Sequence, residues 1–296
     1  MSSAAQRAAA DQTRLVARLG VELDPLELDV PGLGVARGFA TRGAGTPLVL
    51  LHGATLSAAW WLPLLPHLTG RTVVALDAPG HGLSDGLPGE DFALREVLVA
   101  LTTAAVRATG SERAVLVGNS LGGMAAAWTA IDAPALVERL VLVGAPGVAF
   151  AGGRADALLG ALAVPTTARA LLTSPTRPAW YASGLRRSLA EPALRDWPEL
   201  GDLAYHASRR SGFRHTVPRM LQQLLDFRTP RPNMALTAPE LHALPPMTYL
   251  HGRDEAFLPY VAARVALAVI PEAEGRQVDG GHVPWLTDPT PLVAAL

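Results

Sequence analysis

The sequence predicts an α/β fold in which a mostly parallel sheet carries helices on both faces. Short runs rich in valine and leucine recur along the chain, at residues 47–53, 71–80, 113–120, 139–147 and 246–254. Continuous apolar runs of this length are typical of strands that are buried on both faces. Longer stretches of helical character separate the runs, and this alternation favours parallel strands joined by crossover helices.

The remaining elements are predicted from the segments around these runs. Residues 29–46 are expected to form an antiparallel hairpin that leads into the sheet, and residues 92–109 and 121–132 are long enough for crossover helices. The first 20 residues are rich in alanine and lack a continuous apolar segment, which disfavours a signal peptide. We expect a surface helix or a frayed arm there, with a transit peptide as the alternative.

One long stretch breaks the alternation. No strong strand pattern occurs between about residues 148 and 244, where arginine, proline and leucine are frequent. A connection of this length is rarely an irregular loop in a compact domain. We therefore predict a core of residues 1–147 and 245–296, and a helical cap or lid of residues 148–244 over one edge of the sheet.

Composition excludes several classes of function. The 296 residues are 49% hydrophobic with a formal net charge of −1, which gives no electrostatic reason to expect nucleic acid or an anionic membrane as a partner. No run approaches the roughly 18 apolar residues of a membrane span. All 25 basic residues are arginine and cysteine is absent, so lysine and thiolate chemistry are excluded. A sequence without cysteine does not indicate the redox compartment, and we expect a cytoplasmic protein.

A candidate nucleophile lies between a predicted strand and a predicted helix. Residues 118–122 read G-N-S-L-G and match the pattern G-x-S-x-G. The turn in such a motif is so tight that the neighbours of the serine must be small. It exposes the hydroxyl at the carboxyl edge of the sheet. Ser120 is therefore the predicted nucleophile.

A serine nucleophile needs a base, and histidine is the usual one. His282 follows the last strand-like run, on a loop that reads G-G-H-V-P-W-L. We predict that His282 is the base, with an ordinary surface histidine as the alternative. We predict ordinary surface positions for four other histidines, His67, His206, His215 and His242.

The base in turn needs an acid that holds its tautomer. Asp254 comes just past the end of the seventh predicted strand, at the edge of the sheet where ligands bind. We predict that Asp254 is this acid, and the adjacent Glu255 is the alternative. A solvated loop acid is the non-catalytic alternative for either residue.

Two backbone N–H groups are candidates for an oxyanion hole. Leu121 follows the nucleophile at the start of a helix, and Ala54 follows His52-Gly53 at the end of an earlier strand. We predict that both N–H groups donate to the oxyanion. His52 is expected to support its loop through hydrogen bonds, and His81 is expected to be structural or to line the pocket.

The predicted pocket is elongated and largely apolar. Its candidate lining residues are aromatic or contain sulfur, and core packing is the alternative for each of them. They are Trp60, Trp61, Met124, Trp180, Tyr181, Phe257 and Trp285. Arg209, Arg210 and Arg214 are candidates for contact with an anionic substrate, although a solvated helix face is the favoured reading.

Together these motifs resemble the α/β-hydrolase superfamily, and the resemblance covers nearly the whole chain. The oxyanion loop of that superfamily matches His52-Gly53, and its D-x-P-G-x-G-x-S loop matches Asp77–Asp85. The nucleophile elbow matches Gly118–Gly122, the acid loop matches H-G-R-D-E, and the histidine loop matches G-G-H-V-P-W-L-T-D-P. The resemblance implies an eight-stranded, mostly parallel sheet with a helical cap after strand six.

Differences between this sequence and particular subgroups of the superfamily narrow the range of reactions that it is expected to catalyse. Haloalkane dehalogenases and epoxide hydrolases of this fold use an aspartate nucleophile, whereas position 120 is serine. The elbow and a histidine loop with Trp285 resemble the hydrolases that cleave C–C bonds of ring-fission dienones. Those enzymes carry an oxyanion loop similar to H-G-S-G-P-G-A, whereas residues 52–58 read H-G-A-T-L-S-A. The H-G-G-G of lipases is absent, which disfavours bulky tertiary esters.

The leading hypothesis is a serine hydrolase that acts on a small, largely apolar ester, thioester or lactone through an acyl-enzyme. The alternatives are a C–C hydrolase, a lyase or an intramolecular acyl transferase on the same fold, and a small-molecule receptor without turnover. No metal-ligand spacing such as H-E-x-x-H occurs and no G-x-G-x-x-G follows a strand, so we expect no metal and no cofactor. The expected partner is a small-molecule substrate, and the oligomeric state stays open.

Overall fold

The computed structural model describes residues 3–147 and 149–296, in which eight strands form one sheet in the order β1-β2-β4-β3-β5-β6-β7-β8. The strands are β1 Asp24–Val30, β2 Gly34–Thr41, β3 Ala44–Leu51, β4 Arg71–Leu76, β5 Ala114–Asn119, β6 Val137–Val143, β7 Met247–Gly252 and β8 Ala273–Val278. Strands β3 to β8 run parallel, and β1 and β2 are antiparallel at one edge. The prediction of a mostly parallel sheet is confirmed.

The central strands have the residues that a doubly covered sheet requires. Every residue of β5 is buried, and so are the last five residues of β3. A parallel sheet needs apolar side chains on both faces because its crossover helices cover both. The apolar runs of the sequence therefore mark the centre of the sheet and the carboxyl edge at which they end.

The predicted hairpin is shifted along the chain. It consists of β1 and β2, at residues 24–41, rather than residues 29–46. Residues 44–46 instead begin β3. The error has a physical reason: β1 lies at the edge of the sheet with mostly exposed or half-buried residues, so its sequence lacks the apolar run of a central strand.

The helices of the described chain vary from one turn to about five. They are α1 Ser3–Leu19, α2 Leu94–Ala108, α3 Leu121–Asp132, α4 Ala157–Leu162, α5 Pro165–Thr173, α6 Pro178–Ser188, α7 Pro198–Ser208, α8 Ser211–Leu224, α9 Ala238–His242, α10 Tyr260–Leu267 and α11 Thr290–Val293. Short 3₁₀ segments lie at Ala58–His67, Pro134–Leu136, Pro192–Asp196, Pro232–Met234 and Pro284–Leu286. Helices α2 and α3 occupy the crossovers that the sequence predicts.

The segment between β6 and β7, residues 149–244, is called the insertion below. It holds α4 to α9 and a two-residue ladder between Leu225–Asp226 and Thr229–Pro230. It rests on the loop after β4, where Arg210 donates hydrogen bonds to the carbonyl groups of residues 82–84. The insertion is thus helical, while the division into core and cap stays a prediction. Three residues of the predicted core and cap lie outside the described residues: Met1, Ser2 and Val148.

Helix α1 is ordered and packs on α7 of the insertion. The Asp11 carboxylate is buried and lies 2.6 Å from Nδ1 of His206, so His206 is not the free surface histidine that the sequence suggests. Arg18 pairs with Glu199 at 2.8 Å and lies over the ring of Trp197. The N-terminal segment therefore forms a surface helix, not a frayed arm.

Candidate active site

Ser120 occupies a strained turn between β5 and α3. Its φ is +53° and its ψ is −118°, a combination that residues with a side chain rarely adopt. Such a conformation costs about 1–3 kcal/mol and persists only where the surrounding structure enforces it. The strand ends directly before Ser120 and the helix begins directly after it, which places the hydroxyl at the carboxyl edge of the sheet.

Two glycines make this turn possible. A Cβ on Gly122 would stand 2.0 Å from the carbonyl oxygen of Leu51 in β3. A Cβ on Gly118 would stand 2.4 Å from the carbonyl oxygen of Gly122. Helix α3 can therefore lie against the sheet at its first turn only because neither position carries a side chain.

The imidazole of His282 is paired with the carboxylate of Glu255. Nδ1 of His282 lies 2.7 Å from Oε2 of Glu255, and the two side chains are 3% and 0% exposed. Burial alone would raise the pKa of Glu255, but His282 and the N–H groups of Phe257 and Ala145 more than offset it, so this pKa lies below its ordinary value. The carboxylate is ionised at neutral pH, and Nδ1 of His282 donates to it.

The acid that is hydrogen-bonded to His282 is Glu255, the alternative, and not the predicted Asp254. The side chain of Asp254 points to solvent, whereas Glu255 turns inward and its two oxygens accept from Phe257 N–H, Ala145 N–H and His282. Two backbone hydrogen bonds fix the turn after β7: Asp254 N–H donates to Gly280, and Glu255 N–H donates to Gly252. The longer glutamate side chain is the one that this turn directs to the histidine.

Asn119 ties the two halves of the site together, and the sequence analysis missed it. Its side-chain nitrogen donates to the carbonyl oxygens of Val143 and His282, both at 2.8 Å, and the residue is fully buried. The histidine loop is thus anchored to the residue directly before Ser120. The pattern G-x-S-x-G leaves this position free, so no motif points to it.

A narrow cavity of about 50 Å³ opens at Ser120. Its walls are almost entirely apolar, and they come from the sheet edge and the insertion together. The lining residues are Ala54, Ser120, Leu121, Met124, Ala145, Gly147, Arg154, Ala155, Leu159, Leu221, Leu224, Leu225, Pro230 and Phe257. The ring of Phe257 also packs on His282 with centroids 4.4 Å apart, so one side chain touches both the cavity and the histidine.

The predicted lining residues divide into three groups. Met124 and Phe257 line the cavity. Trp60, Trp61 and Trp285 are buried in the core, where the rings of Trp61 and Trp285 stack at 4.2 Å. The other two lie in the insertion away from the cavity: Trp180 is 73% exposed, whereas Tyr181 is partly buried and packs edge to face on Tyr205. The leucines of the insertion were missed because apolar residues in a helix carry no distinguishing signal.

Both predicted oxyanion donors lie at the cavity. Ala54 and Leu121 line it beside Ser120. Leu121 is the first residue of α3, so its N–H has no carbonyl partner within the helix. A carbonyl oxygen bound next to Ser120 would meet this N–H and the positive end of the helix dipole.

The histidines near the site are neutral supports. Nε2 of His52 accepts from Ala78 N–H, and Nδ1 lies 2.8 Å from the carbonyl oxygen of Gly53. Burial lowers the pKa of His52, and it lowers the pKa of His81 to about 3. Both imidazoles therefore favour the neutral form, and neither is hydrogen-bonded to a buried carboxylate as His282 is, so His282 is the candidate base.

Two of the three arginines that the sequence offers for an anionic substrate, Arg209 and Arg210, bond within the protein. Arg210 binds the loop after β4, as described above, and Arg209 donates to Leu172, Ser174 and Thr176. Neither guanidinium faces the cavity. The arginine that does line the cavity is Arg154, which is not among the arginines predicted from the sequence.

Residues 3–147 and 149–296 contain no group of three histidines or acids that could hold a metal ion. Within the same residues, no helix is both long and apolar enough to cross a membrane.

Known proteins resemble this chain in sequence and in fold. It is 32% identical to 2-hydroxymuconate semialdehyde hydrolase of Pseudomonas sp. strain CF600 over 241 residues, which cover 78% of each protein. The structure of a carboxylesterase from Bacillus subtilis superposes with a TM-score of 0.74 and 19% identity, covering 99% of this chain and 96% of the esterase. A 2-hydroxy-6-oxo-6-phenylhexa-2,4-dienoate hydrolase from a Rhodococcus strain has the same TM-score and 20% identity, with 92% and 96% of the two chains covered.

The sequence profile that matches this chain extends over residues 48–296, which include the elbow, the acid loop and the histidine loop. The match covers 249 of the 296 residues, well over half of the chain. The chain belongs to the alpha/beta hydrolase family.

Proposed function

We propose that this protein is a serine hydrolase that cleaves a small, largely apolar carboxylic ester, thioester or lactone through an acyl-enzyme. One observation carries the proposal. The strained Ser120 opens into an apolar cavity whose wall packs on His282, and His282 is bonded through Nδ1 to the buried carboxylate of Glu255.

The chemistry follows from the tautomer of the histidine. Because Nδ1 of His282 donates to Glu255, Nε2 carries the free lone pair and accepts the hydroxyl proton of Ser120 as its oxygen attacks the carbonyl carbon. Glu255 stabilises the resulting imidazolium. The N–H groups of Leu121 and Ala54 donate to the oxyanion of the tetrahedral intermediate.

The reaction is then completed in two stages, formation of the acyl-enzyme and its hydrolysis. His282 gives its proton to the leaving oxygen or sulfur, and the acyl group stays on Ser120. A water molecule transfers a proton to His282 and attacks the acyl carbon. The second tetrahedral intermediate releases the acid and restores the Ser120 hydroxyl.

The insertion acts as a cap in this proposal. Leu159, Leu221, Leu224 and Leu225 cover the side of the cavity that faces away from the sheet. An apolar cover excludes water and favours apolar acyl groups. The core of residues 1–147 and 245–296 would then hold the reacting groups, and the cap of residues 148–244 would select the substrate.

A panel of p-nitrophenyl esters of increasing acyl length tests this proposal. We expect the wild-type protein to release p-nitrophenol with saturation kinetics. Ser120→Ala should lower kcat/KM by about 10³-fold or more, because the nucleophile is lost while the fold is kept. Equal rates for the two proteins across the panel would contradict the proposal.

C–C bond hydrolysis is the second candidate, and the sequence relatives favour it. The relative with 32% identity is named for 2-hydroxymuconate semialdehyde, and one structural neighbour is named for a phenylhexadienoate. The same three side chains can support cleavage of a C–C bond next to a carbonyl. Turnover of 2-hydroxymuconate semialdehyde at a kcat/KM above that of every ester would favour this candidate. Product analysis in ¹⁸O-labelled water separates hydrolysis from lyase and acyl-transfer reactions, since hydrolysis alone places solvent oxygen in the acid.

A further inference from the structure

A second buried carboxylate lies outside the catalytic arrangement proposed above. Glu191 of the insertion is fully buried, between α6 and the 3₁₀ segment Pro192–Asp196. Burial raises its pKa, and the hydrogen bonds from Thr287 and from backbone N–H groups offset only part of this effect. A buried carboxylate lowers the stability of the fold unless its hydrogen bonds compensate for the lost hydration.

Both oxygens of Glu191 bind the loop that carries His282. Oε2 accepts from the N–H of Gly281 at 2.9 Å, and Oε1 accepts from the hydroxyl of Thr287 at 2.6 Å. Gly281 directly precedes His282, and Thr287 lies at the far end of the same loop. One carboxylate thus fixes both ends of the histidine loop.

The backbone of the insertion makes a third contact with this loop. The N–H of His282 donates to the carbonyl oxygen of Leu189 at 2.8 Å. The intervening Ala190 has φ +48°, in the region that favours glycine. The histidine loop and this segment of the insertion are also so close that a Cβ on Gly281 would stand 2.2 Å from the carbonyl oxygen of Ala190. A strained, tightly packed segment therefore presents three acceptors to one loop.

We propose that Glu191 is a positioning residue for His282, so that docking of the insertion sets the geometry of the catalytic base. The inference rests on the proposed function, because it assigns His282 the role of base. Glu191 touches neither substrate nor Ser120 in this account. It acts by holding the loop so that Nε2 of His282 stays aligned with the nucleophile, where small displacements have large kinetic effects.

Two variants remove the contacts one at a time. Glu191→Gln keeps the shape of the side chain but leaves one acceptor oxygen for the N–H groups of Gly281 and Ala193 and the hydroxyl of Thr287, and Thr287→Val removes that hydroxyl. Each should lower kcat for a p-nitrophenyl ester by about 10- to 100-fold with KM nearly unchanged, since the reacting groups are displaced and the cavity is not. Thr287→Ser restores the hydroxyl and should keep kcat within about threefold of wild type.

The matched control is Glu199→Gln, which removes another carboxylate of the insertion. Glu199 pairs with Arg18 of α1 and makes no contact with the histidine loop. Its kcat should equal that of the wild type. A similar loss of kcat in Glu199→Gln would contradict the inference, because it would show a general sensitivity to loosening of the insertion.

The NMR signal of the proton on Nδ1 of His282, assigned with His282→Gln, gives a readout that needs no turnover. We expect this signal to shift or broaden in Glu191→Gln and Thr287→Val, and to keep its wild-type position in Thr287→Ser and Glu199→Gln. Wild-type signals and wild-type kcat in the first two variants would overturn the inference. If Glu191→Gln fails to fold, Thr287→Val decides the question.

The two proposals fail in different ways. Absence of any ester or C–C turnover in the wild type would remove the proposed function, while a shifted Nδ1 signal would still support the positioning of His282 by Glu191. Normal turnover with unshifted signals would keep the proposed function and remove the role of Glu191.

Discussion

Asp254 and Glu255 are adjacent acids in opposite environments: the first is exposed to solvent, and the side chain of the second is buried. Both follow β7 at the edge of the sheet, as the sequence predicts. Only Glu255 is buried and bonded to His282. The sequence locates the acid loop but not the acid, because neighbouring side chains in a turn point in different directions. The choice depends on backbone hydrogen bonds to Gly280 and Gly252 that no motif records.

The first prediction compares these two acids directly. Glu255→Gln should lower kcat/KM for the best ester by at least about 100-fold, because loss of the orienting acid leaves the histidine in the wrong tautomer. Asp254→Asn should keep kcat/KM within about threefold of wild type, since the side chain is exposed. Steady-state kinetics on the two purified variants check the pair. A larger loss in Asp254→Asn would contradict the geometry.

The second prediction concerns stability and pH. The pKa of Glu255 is depressed in the folded state, so its ionised form stabilises the fold at pH values above its ordinary pKa of 4.5. That contribution is lost as the pH falls through the lower pKa of the folded protein. Glu255→Gln should therefore lower the free energy of unfolding by about 1–3 kcal/mol at pH 7. The difference should shrink as the pH falls below about 4.5, the region of an ordinary glutamate pKa.

Urea unfolding of the wild type and Glu255→Gln from pH 7 to pH 3 measures this difference. Asp254→Asn is the control, and its curve should follow that of the wild type. A gap between wild type and Glu255→Gln that stays constant over the whole range would show that the carboxylate charge contributes nothing to the fold.

At the scale of elements, the elbow is the part of the fold that the sequence predicts best. The pattern G-x-S-x-G requires a strand, a tight turn and a helix in succession, and β5, Ser120 and α3 follow in that order. Edge elements are predicted less well. The strand β1 has no continuous apolar run, and the docking of α1 on α7 depends on Asp11 and His206, which are 195 positions apart. Contacts of this range have no signature in a single sequence.

The third prediction tests the close approach of α3 to β3. Gly122→Ala should lower the free energy of unfolding by more than about 3 kcal/mol, because the added Cβ would overlap the Leu51 carbonyl and force a backbone shift. Gly184→Ala in α6 is the matched control, since the space around Gly184 is open. It should raise stability by about 0.5–1 kcal/mol through helix propensity. Thermal unfolding of both variants gives the comparison, and equal effects would rule out the packing argument.

At the scale of the whole molecule, the cavity exists only because two parts of the chain meet. Ser120 and Met124 come from the core, and Leu159 and Leu221 come from the insertion. The sequence predicts that a helical insertion is present but not which of its faces meets the sheet edge. The large aromatic residues, which are the natural candidates, instead fill the core, as the buried Trp60 and Trp61 show.

The fourth prediction follows from the size of this cavity. The cavity is narrow and leucines of the insertion close it, so we expect kcat/KM to be highest for short p-nitrophenyl esters and to fall as the chain lengthens. Leu159→Ala enlarges the cavity and should move the optimum to longer chains. The matched control is Leu158→Ala, which removes an adjacent leucine outside the cavity wall and should leave the optimum unchanged. An unchanged optimum in Leu159→Ala would place the acyl group elsewhere.

The most direct test of the account is covalent labelling with a fluorophosphonate, read by peptide mass spectrometry. Wild-type protein should carry one phosphonyl adduct on the peptide that contains Ser120. Glu255→Gln should label far more slowly than Asp254→Asn, and Ser120→Ala should not label at that peptide at all. A wild-type protein that keeps its fold and resists the reagent, or that is modified at another residue, would contradict the assignment of Ser120 as an activated nucleophile.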